Sequence, residues 1–163
     1  MIFGKKISSI EVDDHSIVAL AEGTLIPISQ VKDDVFAQKM MGDGVAFQYS
    51  GDRITVCAPA NGILSVLFPT GHAFGITMQD GTELLVHIGI DTVQAKGEGF
   101  KVQNVRQSDA VKAGQPVVEV NLKQLSKTYD MTTMLIVTHD SSRSIRFNEE
   151  TREVKRGELI WHQ

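Results

Sequence analysis

Cysteine is almost missing from this chain. Cys57 stands alone among 163 residues, so no disulfide can close within it. That suits a reducing compartment, and a cytoplasmic location is expected. Long apolar runs are missing too: nothing approaches the ~18–20 consecutive apolar residues of a bilayer-spanning helix. The opening MIFGKK is basic, but the apolar stretch of a secretory signal does not follow it. Basic clusters interleaved with aromatics are also lacking. Aromatic content is only 6% and the net charge is −4, which argues against nucleic-acid binding.

What is present suits a packed domain. Hydrophobic residues make up 42% and charged residues 22%, enough for a core beneath an ordinary surface. A length of 163 residues predicts one domain, placed at 16–163 behind a polar, flexible lead-in at 1–15. Short apolar runs alternate with Gly, Asp, Asn and Pro. Those at 17–20, 24–28, 45–49, 54–58, 63–68, 73–78, 83–90, 117–122, 134–138 and 144–147 read as strands. With fourteen glycines among them, this spacing predicts an all-β sandwich or barrel. Weak helical spacing adds short helices at 34–40 and 122–129. Residues 21–25 are echoed at 60–64, and 111–117 at 154–160, a faint internal repeat.

The most informative stretch is PTGHAFGITMQDGTELLVHIGIDT, at 69–92. Asp80-Gly81 between runs of β-favouring residues is a strong hairpin signal. A two- or four-residue loop there would set Phe74 opposite His87 and His72 opposite Gly89. His72 and His87 would then share one face as diagonal neighbours, about 7–8 Å apart at Cα. A three-residue loop would turn them to opposite faces, because facing follows register parity. Two facing imidazoles could be two ligands of a metal site, which needs at least one more. They could be a nucleophile and its helper. They could also be ordinary half-buried residues.

The residues go further than the spacing. FPTGHAFGI, LLVHIGIDTV, KGEGF and DDVFAQKMMGDGVA, in order over about residues 19–139, resemble the glucose-type enzyme IIA (EIIA) proteins of the bacterial phosphoenolpyruvate:sugar phosphotransferase system (PTS). The resemblance implies a duplicated antiparallel β-sandwich, the glucose-permease IIA-like hybrid motif. It implies a phosphohistidine carrier that accepts a phosphoryl group from the histidine protein HPr and passes it to a cysteine on a IIB domain of a sugar permease. His87 would carry the phosphoryl group, His72 would stabilise it, and Thr70 would orient His72. Asp33 and Asp91 would form an acidic rim, while Val35, Phe36, Val45, Phe68 and Val93 would form an apolar docking ring. No cofactor is required beyond covalent phosphate. Zinc at His72 and His87 is possible but not essential, with His139 the candidate further ligand.

The sequence also departs from the family. Ala19-Leu20-Ala21-Glu22-Gly23 stands where an Ala-Pro-x-x-Gly motif is usual, and the tail from Arg143 matches weakly. Three other readings compete. APANGILSVLF and VKAGQPVVEV resemble biotinyl and lipoyl swinging-arm domains, but those need a lysine at a hairpin tip and Asp80-Gly81 offers none. A zinc hydrolase would need a recognisable ligand pattern, and neither H-x-H nor H-E-x-x-H occurs. A regulatory protein that reports sugar supply through its phosphorylation state could coexist with the carrier.

Overall fold

The computed structural model describes residues 10–161. Thirteen strands follow in chain order: β1 (Ile17–Val18), β2 (Gly23–Pro27), β3 (Gly44–Gln48), β4 (Arg53–Cys57), β5 (Gly62–Leu67), β6 (Ala73–Thr77), β7 (Glu83–Ile88), β8 (Phe100–Val102), β9 (Ala110–Val111), β10 (Pro116–Asn121), β11 (Thr133–His139), β12 (Arg152–Val154) and β13 (Leu159–Trp161). Two one-turn helices, α1 (Asp34–Ala37) and α2 (Leu122–Leu125), interrupt them. The strands pair antiparallel into sheets ordered β12-β2-β3-β11-β7-β6-β5-β9, β4-β10-β8 and β1-β13. Among the described residues, no helix is long and apolar enough to cross a membrane.

Period-2 alternation gives the largest sheet two apolar faces. Leu25, Phe47, Phe74, Ile76, Leu84, Val86, Leu135 and Val137 point to the main core, where Val56, Val118 and Val120 of the smaller sheet meet them. Ile26, Ala46, Met134 and Ile136 point the other way and are roofed by Ile28, Val31 and Phe36. Burying one such large side chain contributes about 1.5–3 kcal/mol, so both faces hold the sheet in place. The roof is helix α1, shorter than the 34–40 expected. Asp33 caps it by accepting from the Val35 N–H at 3.0 Å, and the left-handed backbone of Lys39 (φ 60°) ends it. Likewise α2 stops at Leu125, four residues short of the expected end, with Asn121 as its cap.

The faint repeat is a real duplication. Gly23 pairs with Val154 as Gly62 pairs with Val111. Ala19 donates to the Glu158 carbonyl and Ala58 to that of Gln115, both at 2.8 Å. The two copies also lock across their dyad: Val18 N–H donates to Pro59, and Cys57 N–H to Leu20.

Two expectations fail. The 144–147 run is not a strand: Ser141, Ser142 and Ser144 have φ of 50°, 63° and 55°, which breaks the pleat, and the Phe147 N–H donates to the Asp43 carboxylate instead of a neighbouring strand. The hairpin loop is odd rather than even. Met78 N–H donates to Thr82 O and Gly81 N–H to Met78 O, which closes a three-residue loop over Gln79, Asp80 and Gly81. Gly81 takes the positive φ of 92° that this loop requires, and Asp80 accepts from the Thr82 N–H at 2.9 Å. Ala73, not Phe74, therefore faces His87.

The lead-in already makes contacts at residues 10–15. Asn61 donates to the Val12 carbonyl, and Arg143 donates to that of His15. Residues 1–9 lie outside the described residues.

Candidate functional site

His87 is delivered by the centre of the large sheet. Strand β7 holds it between Ala73 on β6 and Met134 on β11, with its side chain on the α1 side. The Phe36 ring of α1 lies 5.4 Å from the imidazole, centroid to centroid. The Ile88 N–H donates to the His72 carbonyl at 2.7 Å, so His72 lies opposite Ile88, not Gly89. Strict alternation would then send its ring to the far face. It does not, because His72 precedes the first paired residue of β6, in the bend after Gly71. The ring comes back over the sheet to meet His87 edge-on, 5.3 Å between centroids and 79° between planes. Phe68 packs on its other side at 5.0 Å.

Hydrogen bonds set the state of each ring. His87 Nδ1 lies 2.8 Å from the Gly89 carbonyl oxygen, which can only accept. The ring proton therefore sits on Nδ1, and Nε2 keeps a free lone pair. His72 Nδ1 lies 2.6 Å from the Thr70 hydroxyl. A hydroxyl donating to that nitrogen leaves the His72 proton on Nε2, ready to be donated. Burial lowers the pKa of both rings, and the neighbouring His87 lowers that of His72 further. For His87, the Gly89 carbonyl, Asp33 and Asp91 pull the other way. Both rings are thus held neutral, with the His87 Nε2 lone pair left free by the Gly89 contact.

The remaining candidates divide by depth. Val35, Phe68 and Val93 are 42%, 41% and 55% exposed and can meet a partner. Val45 cannot: it is 2% exposed and belongs to the main core, which corrects its place in the expected docking ring. Phe36 is 7% exposed and acts as the platform under His87 rather than as rim. Asp33 is half-buried as the cap of α1, whereas Asp91 is exposed with φ 61°. His139 pairs with Glu83 at the opposite end of β7 from His87, too far along the strand to join the pair. Among the described residues, no group of three or more His, Cys, Asp or Glu is arranged to hold a metal ion. His15 lies 3.7 Å from Asp80, and His162 lies outside the described residues.

Sequence reasoning missed two features. Gly89 contributes a carbonyl, which no side-chain pattern advertises. Met40 and Met41, 69% and 39% exposed beside α1, extend the apolar surface. Their signal was two adjacent methionines just before a Gly-Asp-Gly turn.

Comparison with known proteins adds to this geometry. A model of the family described as phosphoenolpyruvate-dependent sugar phosphotransferase system, EIIA 1, matches residues 15–143. The chain is 37% identical over 145 residues to the "PTS system glucose-specific EIICBA component" of Staphylococcus carnosus, covering 88% of this chain and 21% of that protein. It is 42% identical over 146 residues to the protein of the same name from Staphylococcus saprophyticus, covering 89% and 21%. The chain thus spans about a fifth of the length of these relatives. Among solved structures, the glucose permease IIA from Mycoplasma capricolum superposes with a TM-score of 0.81 at 36% identity, covering 89% of this chain and 92% of that one.

Proposed function

The chain belongs to the EIIA 1 family of the phosphoenolpyruvate-dependent sugar phosphotransferase system, and on that premise we propose that His87 Nε2 is its phosphoryl acceptor. The observation that carries this reading is the bond from His87 Nδ1–H to the Gly89 carbonyl, which leaves Nε2 as the free nucleophilic nitrogen. Phosphohistidine on HPr is the donor. As its N–P bond breaks, the His87 Nε2 lone pair forms the new one, and the phosphoryl charge spreads over three oxygens. His72 Nε2–H donates to one of them, held in that tautomer by the Thr70 hydroxyl. In the second step a cysteine thiolate on a IIB domain attacks phosphorus, and His87 leaves as a neutral imidazole. Neutral leaving is favoured because burial disfavours the imidazolium.

Val35, Phe68 and Val93, with Met40 and Met41, form the apolar face that receives both partners. Asp33 and Asp91 supply negative charge at its rim, matched to a cationic side chain of the donor. On this reading the domain works in the cytoplasm, and no cofactor enters either step. The test is incubation with phosphoenolpyruvate, enzyme I and HPr, followed by mapping of acid-labile phosphate. Label on His87 is expected, absent in His87→Ala and retained in Cys57→Ser. Label surviving His87→Ala would refute the assignment.

A further inference from the structure

The anchor of His87 is a single main-chain carbonyl, and that carbonyl lies past the end of β7, where no ladder bond holds it. Something else must aim it. Two peptide planes meet at the Gly89 Cα. In the first, the Ile88 carbonyl accepts a 2.6 Å hydrogen bond from the Thr92 hydroxyl. In the second, the Ile90 N–H donates to the Asp130 carbonyl at 2.8 Å while the Gly89 carbonyl faces His87 Nδ1. Apart from His87 itself, Thr92 is the one side chain that pins either plane by a described hydrogen bond.

Thr92 has no accessible surface, and it is turned back beneath β7 by the left-handed backbone of Asp91. Its methyl group also grips the turn: a Cβ at Gly89 would come within 2.5 Å of Thr92 Cγ2. Gly89 itself has φ 80°, a conformation that leaves the turn few ways to relax once it is held at both sides. We propose that Thr92 is a positioning residue that sets the tautomer of His87, by fixing the peptide plane that precedes the Gly89 carbonyl.

The consequence follows from the chain geometry. Without the hydroxyl, the Ile88 carbonyl is buried with one partner fewer, and only the Ile90–Asp130 bond in the next plane still opposes rotation at Gly89. Rotation about Gly89 swings the next carbonyl off His87 Nδ1. The ring proton then moves to Nε2 in a larger share of molecules and occupies the lone pair needed for attack. Only this last step rests on His87 being the acceptor; the tautomer can be measured without it.

The experiment uses the full chain labelled with 15N-histidine and long-range 1H–15N correlation, above the titration of the rings. Wild-type His87 should show a protonated Nδ1 and an unprotonated Nε2. In Thr92→Val, the Nε2–H share should rise by about two- to tenfold, the worth of one hydrogen bond. Thr92→Ser keeps the hydroxyl and should restore the wild-type signature. Amide spectra report folding, and if Thr92→Val does not fold, Thr92→Ala is read against Thr92→Ser in the same way. A wild-type His87 tautomer in the hydroxyl-free variant, or a Thr92→Ser protein shifted as far as Thr92→Val, would overturn the proposal. The expected shift in a protein that never accepts phosphate would support Thr92 and sink the carrier reading alone.

Discussion

His72 and His87 lie edge to face at 5.3 Å although the backbone sets His72 opposite Ile88, on the wrong parity for a shared face. The contact is made by a bend, not by a strand. His72 is 3% exposed, wedged between Phe68 and His87, and its backbone bends just before β6 while its carbonyl still accepts from Ile88. This lets one ring approach the other edge-on, the geometry in which an N–H can reach a group carried by its neighbour.

On the proposed function the two rings divide the work. His87 needs only its own lone pair to accept a phosphoryl group, whereas release needs the charge held as the bond breaks. His72→Gln should still take label from HPr on His87. Onward transfer to a IIB domain should fall by about a hundred- to a thousandfold, the usual effect of losing one preorganised donor. Rapid-quench measurement of both steps checks this, and near-normal onward transfer would mean that His72 is not the donor.

Acid should weaken the fold through these same rings. An unfolded chain binds their protons at about pH 6.5, whereas burial delays binding in the native state to lower pH. Below that value the unfolded state binds more protons, so stability falls with pH until the native pKa values are passed. Urea midpoints should drop on acidification from neutral pH, and the drop should be shallower in His72→Gln and His87→Gln. The depressed carboxylates Asp13 and Asp80 act in a separate, more acidic window. Asp33→Asn with Asp91→Asn should lower the His87 pKa further, because both charges raise it, and NMR titration reads this directly.

Docking and folding should separate cleanly between two residues of the expected apolar ring. Phe68→Ser, at an exposed position, should weaken HPr binding in calorimetric titration with little change in urea midpoint. Val45→Ala should cost about 2 kcal/mol of stability and leave HPr affinity near wild type. Changes at the acidic rim should appear mainly in the salt dependence of the association rate. If the Asp33→Asn, Asp91→Asn pair costs more affinity than Phe68→Ser, charge and not apolar area dominates the interface.

Chelation should leave transfer from HPr unaltered, since the proposed steps use only the two imidazoles and the Thr70 hydroxyl. A large loss on treatment with a strong chelator, restored by zinc, would place a metal between the rings and displace this mechanism.

The histidine pair is legible in the sequence, but hairpin parity is not what brings the two rings together. Asp80-Gly81 announces a hairpin correctly, yet loop length depends on whether the Asp80 carboxylate caps Thr82 and Gly81 adopts a positive φ, which a dipeptide does not specify. Parity reasoning applied to residues inside strands and failed at His72, one residue before β6. The short strands β8, β9, β12 and β13 escaped notice because two or three residues cannot display alternation. The run at 144–147 misled for the opposite reason: buried Ile145 gives it an apolar pattern, while serine backbones and Asp43 take it out of any sheet. The Gly89 carbonyl was invisible in principle, since every residue has one.

Arg143 binds three parts of the chain at once: it lies 2.9 Å from the Asp80 carboxylate at the hairpin tip, donates to the His15 carbonyl, and stacks 4.7 Å from the Trp161 ring centroid. His15 and Trp161 are therefore drawn to one spot, beside the tip of the β6–β7 hairpin. The imidazoles sit at the hairpin's other end, a strand length of roughly 17–20 Å away. On the proposed function, a partner would approach the imidazoles from the end opposite Arg143, so the segments which this guanidinium ties together would stay clear of it.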